Sequence, residues 1–189
     1  MRIITGTARG CRLLTLEGEN TRPTSERAKE AVFSMLRGEI RDKKVLDVFA
    51  GSGQMALEAL SQGADFAYMI DRSADVVGII GKNAEKTRLS DRCRIIRGEA
   101  PVILDRIHEK FGLVFADPPY ASGLLPQVLR RLDNKGLLEN GAYVVCESAS
   151  PDDVFGDDSS IKSVFNIFKT GKYGIAYITI LKYMPDART

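Results

Sequence analysis

Lys44-Val45-Leu46-Asp47-Val48-Phe49-Ala50-Gly51-Ser52-Gly53 is the stretch that decides the fold. Lys44–Phe49 reads as a buried strand, and the residues after Gly53 read as a helix over 54–62. Glycines between a strand and a helix permit unusual backbone angles and close approach by a ligand. The spacing Gly51-x-Gly53-x-x-Ala56, with Asp71 further on, also satisfies the loose dinucleotide fingerprint, which alone is a weak signal.

Outward from this stretch the pattern alternates. Strands are expected at Phe66–Ile70, Cys93–Arg97, Leu113–Ala116 and Tyr143–Cys146, with helices over about 73–88, 100–109 and 123–133 between them. Short apolar strands alternating with helices predict a mainly parallel sheet covered on both faces. The end of the chain differs. Ser160–Lys169 and Tyr173–Tyr183 read as strands joined by Thr170-Gly171-Lys172, a hairpin that makes the last strand antiparallel. Residues 147–160 hold five acids and no Lys or Arg, and read as a solvated loop. Upstream, Arg2–Leu16 reads as a hairpin turning between Gly6 and Gly10. Residues 24–37 read as a helix capped by Thr24 or Ser25, with Ala28, Val32, Met35 and Leu36 on its apolar face. The expected division is therefore an N-terminal extension, 1–43, and a body, 44–189.

Bulk properties narrow the classes. The chain has 189 residues and a formal net charge of +2, so it is no polycation and its partners must be read from local charge. No apolar run approaches the ~18 residues a membrane helix needs, and the start lacks a signal peptide's apolar region. Three scattered cysteines and one histidine argue for reduced core thiols in a cytoplasmic protein and against a zinc or multi-histidine centre.

Asp47 separates the cofactor classes. A carboxylate just before the glycine loop repels a pyrophosphate but suits S-adenosyl-L-methionine, which carries a sulfonium and an ammonium. Asp71 ends the next strand and can accept ribose hydroxyl protons. Glu99 follows the third strand and can reach an adenine amine. The competing explanation makes these acids N-caps of the following helices.

The second chemical stretch is Asp117-Pro118-Pro119-Tyr120, after the apolar run Phe111–Ala116. An aromatic amine is a poor nucleophile because its lone pair is delocalised. Hydrogen bonds from its N–H groups to the Asp117 carboxylate and the Pro118 carbonyl favour pyramidalisation and aim the lone pair, and Tyr120 can stack on the ring. The competing explanation is a proline-ended strand with a core tyrosine. The motif alone does not separate adenine, cytosine, guanine or glutamine amides. Any paired base must leave its stack, at a cost of a few kcal/mol.

Taken together these residues resemble the RsmD family of bacterial 16S rRNA (guanine-N2)-methyltransferases over nearly the whole chain. The resemblance rests on Arg2-Ile3-Ile4-Thr5-Gly6 with Gly10 and Leu13, and on Thr21-Arg22-Pro23-Thr24 leading to Arg27, Lys29, Glu30 and Phe33. It continues in Leu46-Asp47, Phe49–Gly53, Leu57-Glu58-Ala59, Asn83, Asp117–Tyr120 and Lys172-Tyr173-Gly174. It implies a Rossmann-like, seven-stranded methyltransferase sheet with its last strand antiparallel and a hairpin-and-helix extension serving as RNA and cofactor lid. It implies S-adenosyl-L-methionine held by Asp47, Phe49, Gly51, Gly53, Asp71, Glu99 and Ala100, and guanine held by Asp117, Pro118 and Tyr120. The partner implied is 16S rRNA in the assembling small subunit, met by a monomer without metal. Arg2, Arg9, Arg12, Arg22 and Lys29 are the candidate phosphate contacts, in a region (1–44) with ten basic residues against six acids. The chain departs from the family pattern at Asp71, usually glutamate, at Glu99, usually aspartate, and at Gln54-Met55.

Other readings remain open on sequence. DNA adenine methylation normally needs a recognition domain for which no spare segment exists. Protein glutamine methylation usually shows asparagine in place of Asp117. A non-catalytic RNA-binding assembly factor and a nicotinamide oxidoreductase complete the set.

Overall fold

The structure, a computed structural model, describes residues 1–15, 26–119 and 122–185. In chain order its elements are α1 (Glu26–Met35), β1 (Lys44–Asp47), α2 (Gln54–Ser61), β2 (Phe66–Asp71), α3 (Ala74–Thr87), β3 (Cys93–Arg97) and α4 (Ala100–Leu104). Then follow β4 (Phe111–Ala116), α5 (Leu124–Asn134), β5 (Leu138–Ser148), α6 (Ser159–Lys162), β6 (Phe165–Tyr173) and β7 (Ala176–Tyr183). The seven strands form one sheet in the order β3-β2-β1-β4-β5-β7-β6. β1 to β5 pair in parallel, and β7 runs antiparallel between β5 and β6. This is the mainly parallel sheet the strand–helix alternation predicts, and the Rossmann-like methyltransferase sheet the family resemblance implies.

Strand periodicity of two sorts the core onto two faces. Leu113, Phe115, Val145 and Ile180 face Leu57, Leu60 and Ile80 of α2 and α3. Val114, Ala116, Val144 and Leu181 face Leu104, Val128 and Leu129 of α4 and α5. Each such buried aliphatic side chain contributes about 1.5–3 kcal/mol. Ile3, Leu13, Val32 and Leu36 belong to the first of these faces, so residues 1–15 and α1 share a core with the sheet.

The N-terminal hairpin is minimal. One antiparallel bridge joins Arg2 to Arg12, supported by Ile3 N donating to Cys11 O (2.9 Å) and Gly10 N donating to Ile3 O (2.9 Å). Gly6 takes φ 82°, and a Cβ there would collide with the Ser61 carbonyl of α2. Glycine at this position therefore lets the segment lie directly on α2.

Several expectations need correction. The final hairpin turns at Gly174-Ile175, not at 170–172; Gly171 lies inside β6 opposite Ile178, and Gly174 (φ 68°) supplies the turn. Residues 147–160 are not a plain solvated loop. β5 runs to Ser148, a 3₁₀ turn with a Ser150–Asp153 capping box follows, and Val154 is buried. Asp158 caps α6 and pairs with Arg130. The helix expected over 100–109 stops at Leu104. Of the cysteines only Cys146 is a core residue; Cys11 and Cys93 are half-buried. The Thr24 or Ser25 cap lies outside the described residues. No helix among the described residues is long and apolar enough to cross a membrane.

Candidate active site

Sheet order creates the site. From β1 the chain moves to β2 on one side, whereas β4 pairs with β1 on the other, so the loops after β1 and β4 diverge. A crevice opens at such a switch point, beyond the carboxyl ends of the strands. Asp47, the last residue of β1, pairs in register with Phe115 of β4. Asp117 lies two residues further along that neighbouring strand. One inter-strand step and two residues of rise put the two α-carbons roughly 8 Å apart.

Asp47 is 3% exposed. Burial pushes its carboxyl up to about 7, partly opposed by the backbone N–H groups of Ala56 and Phe49 and reinforced by the charge of Asp71. Its Oδ2 has no hydrogen-bond partner among the described residues, and neither does Oε1 of buried Gln54, the first residue of α2. An orphaned buried acceptor normally costs about 1–3 kcal/mol. Two beside one glycine loop make a site that asks for a donor. An ammonium fits; a phosphate, which brings only more acceptors, does not.

The glycine loop itself is held by Asp71. Its Oδ2 accepts from Gly51 N (3.1 Å) and its Oδ1 from Ser73 N (3.0 Å). Each oxygen keeps a second lone pair for a hydroxyl. Gly51 (φ 52°) has open space where a Cβ would stand, and Gly53 (φ 77°) would press one against Ile80 and Met69 at 3.2 Å. Ser73, not Asp71, caps α3. Glu99 occupies the N-cap position of α4 but makes no capping bond and is exposed. The capping explanation of these acids is therefore not supported. Ala100 is buried and Phe49 is half-buried against the core.

On the other side of the crevice Asp117 is exposed, Pro118 buried and Pro119 exposed. A cavity of about 290 Å³ opens beside the two prolines, lined also by Ser122, Leu125, Glu147 and Ser148. Tyr120 and Arg22 lie outside the described residues.

A family model described as conserved hypothetical protein 95 matches residues 1–182. The chain belongs to that family, the RsmD family. It is 35% identical to ribosomal RNA small subunit methyltransferase D of Escherichia coli K12 over 148 residues, 78% of this chain and 74% of that protein. Its Haemophilus influenzae counterpart is 32% identical over 151 residues, 78% of each chain. Among solved structures, yhhF of Escherichia coli superposes with a TM-score of 0.87 at 29% identity, covering 98% of both chains.

The structure also revises the basic residues. Lys29 is not an RNA contact. It is fully buried, its Nζ pairs with Glu58 Oε2 at 3.1 Å, and it donates to the Arg2 carbonyl. It stands on the same buried face of α1 as Val32 and Phe33, with buried Leu36 just beyond the helix, which points it into the core. Arg9 and Arg12 are exposed, and Arg2, also exposed, lies 3.6 Å from Glu26.

Three residues of this RsmD-family chain gained no role from sequence reasoning alone. Glu58, fully buried on α2, accepts from Ile4 N (2.8 Å), Thr5 N (2.9 Å), Thr5 Oγ1, Gln62 Nε2 and Lys29 Nζ. Asn83 of α3 accepts from Leu14 N (2.7 Å) and donates to the carbonyls of Leu14 (3.0 Å) and Ser52 (2.9 Å). It ties the N-terminal segment to the glycine loop. Gln54 was visible only as a departure from pattern. The signal for Glu58 and Asn83 was position: each sits among apolar residues on a buried helical face.

Proposed function

We propose that this protein is an rRNA methyltransferase that moves a methyl group from S-adenosyl-L-methionine to the exocyclic N2 of a guanine in 16S rRNA of the small ribosomal subunit. One observation carries the reading. A buried, unsatisfied carboxylate and an Asp-Pro-Pro loop stand at neighbouring strand tips over one crevice. The small-subunit rRNA methyltransferases among its relatives support the substrate class.

When bound, S-adenosyl-L-methionine would supply an electrophilic methyl group, giving up its S–CH3 bond and leaving as a neutral thioether. Asp47, with Gln54 beside it, accepts from the donor's ammonium. Asp71 and Glu99 accept from ribose and adenine, while Phe49, Gly51, Gly53 and Ala100 let the donor lie close to backbone. Asp117 and the Pro118 carbonyl would accept from the guanine amine and orient it towards the donor side of the crevice. The prolines fix φ near −65°, so this clamp is set before the base arrives. Tyr120 stacks on the flipped base. The amine becomes acidic only as the new bond forms, so its proton passes afterwards to Asp117 or water. Residues 1–15, tied to Ser52 through Asn83, act as a lid on the cofactor side, with Arg2, Arg9, Arg12 and Arg22 meeting RNA phosphates.

The test offers labelled S-adenosyl-L-methionine with small subunits lacking the modification, with naked 16S rRNA and with duplex DNA. Label at N2 of one guanine is expected in rRNA and none in DNA. Label only in adenine N6 of DNA, or in no nucleic acid at all, overturns the reading.

A further inference from the structure

The far edge of the sheet carries a feature the crevice does not use. Residues 159–185 contain four lysines and no acid, directly after a segment rich in aspartate. β6 is the edge strand, and Asn166 to Thr170 are exposed along it. Ile167 is 60% exposed, Phe168 50% and Ile175, at the hairpin tip, 62%. A bulge between Ile167 and Lys169 displaces Phe168 from the ladder, where its ring meets Tyr143 edge-on.

Register fixes where this surface lies. Lys169 pairs with Ile180, Ile180 with Val145, Val145 with Phe115, and Phe115 with Asp47. Partners across a ladder share a face, so Lys169 stands on the face of the sheet that carries Asp47. Lys172 pairs with Tyr177, and Tyr177 with Ser148, just past the row that holds Ala116 and Cys146. The hairpin tip is therefore at the same end as the Asp117 loop, three inter-strand steps away, about 15 Å. Lys172, three residues further along β6, stands on the opposite face, so the two lysines flank the open sheet edge; Asp152 and Asp153 belong to the turn around Val154, which packs with α5 on the Lys172 side.

Lysines on an edge strand also discourage edge-to-edge pairing. That role explains the charges but not the exposed aromatic and aliphatic side chains between them. Cations interleaved with an exposed ring are what a nucleic acid strand needs: countercharge for phosphates and a platform for a base.

We infer that the β6–β7 hairpin is a second RNA-binding surface. It grips the strand flanking the target guanine, laid along the open edge of β6, through Lys169 on one face and Lys172 on the other, with Phe168 stacking on a neighbouring unpaired base. The inference rests on the rRNA methyltransferase reading and adds to it a contact on the side of the crevice opposite the N-terminal arginines.

The experiment measures methyl transfer to naked 16S rRNA against salt concentration. The double variant Lys169→Gln, Lys172→Gln is expected to raise KM roughly 25-fold at 0.1 M salt and to lower the salt slope by about 1.4, or ~0.7 per phosphate contact. Its kcat at saturating RNA should hold. Phe168→Ala should raise KM roughly ten-fold, the size of one base stack, with the slope unchanged. Lys162→Gln, at the end of α6 before the far end of β6, is the control and should alter neither quantity. A wild-type protein that labels neither naked 16S rRNA nor small subunits lacking the modification sinks the methyltransferase reading itself. Transfer by the wild type with an identical KM and slope in the double variant sinks this surface alone. So does an unchanged slope together with a changed sedimentation coefficient, which would assign the edge to pairing between copies.

Discussion

Asp47 and Glu58 are both buried carboxylates, eleven residues apart on either side of one glycine loop, and the chain treats them in opposite ways. Glu58 is saturated: four neutral donors and the Lys29 ammonium surround it. Asp47 keeps an oxygen with no partner among the described residues. Desolvating a charge is costly unless hydrogen bonds and a counterion replace water. At Glu58 that replacement is internal, so the residue fastens the N-terminal segment to α2. At Asp47 it is incomplete, which in the proposed function leaves room for a ligand's donor. Burial alone therefore does not mark a functional acid; the state of its lone pairs does.

The contrast can be broken at either end. Asp117→Ala, across the crevice from Asp47, should lower the rate of methyl transfer about 10³-fold while leaving affinity for S-adenosyl-L-methionine nearly unchanged, because in the proposed function it clamps the acceptor and not the donor. Single-turnover transfer and calorimetry read the two quantities separately; near wild-type turnover removes Asp117 from the site. Lys29→Met should cost about 3–5 kcal/mol of folding stability, because it strips the counterion from a buried carboxylate. A urea titration reads this, and unchanged stability would make the pair ornamental. The salt slope of RNA binding should not change in that variant.

Much of this layout was legible in the sequence. Alternating apolar runs indicated the sheet, because parallel strands buried on both faces leave little latitude in composition. Asp47, Gly51, Gly53 and Asp71 stood out because each follows or ends a strand. What escaped depended on tertiary partners. Lys29 looked like a phosphate contact because lysine is usually exposed, and its counterion on α2 lies twenty-nine residues away. Its spacing of four and seven to Phe33 and Leu36 was the overlooked sign. The last hairpin was misplaced because Gly171 and Gly174 both offer a turn, and only the ladder register selects Gly174. Asn83 shows only its place on a buried helical face; its meaning is the two carbonyls and the amide it reaches.

Two smaller effects sharpen the contrast. Asp47→Asn should weaken S-adenosyl-L-methionine binding roughly 30-fold, the loss of one charge-assisted hydrogen bond. The same variant should be no less stable than wild type at pH 8. Burial lifts the Asp47 carboxyl in the folded chain, so its contribution to stability is present below pH 3.8 and is lost as pH rises through about 7. An asparagine does not titrate and escapes that loss. Asn83→Ala should cost about 2 kcal/mol by orphaning the Leu14 and Ser52 groups, and should raise hydrogen exchange at Leu14. Protection at Leu14 equal to wild type would show that the segment is held without it.

The most direct measurement is the affinity for S-adenosyl-L-methionine between pH 5.5 and 7, for wild type and Asp47→Asn, by calorimetry. A site in which ionised Asp47 meets the donor's ammonium predicts wild-type affinity falling towards ten-fold per pH unit below about 7, with a weaker and flat profile for the variant. Equal affinities with the same pH profile in both proteins would contradict it.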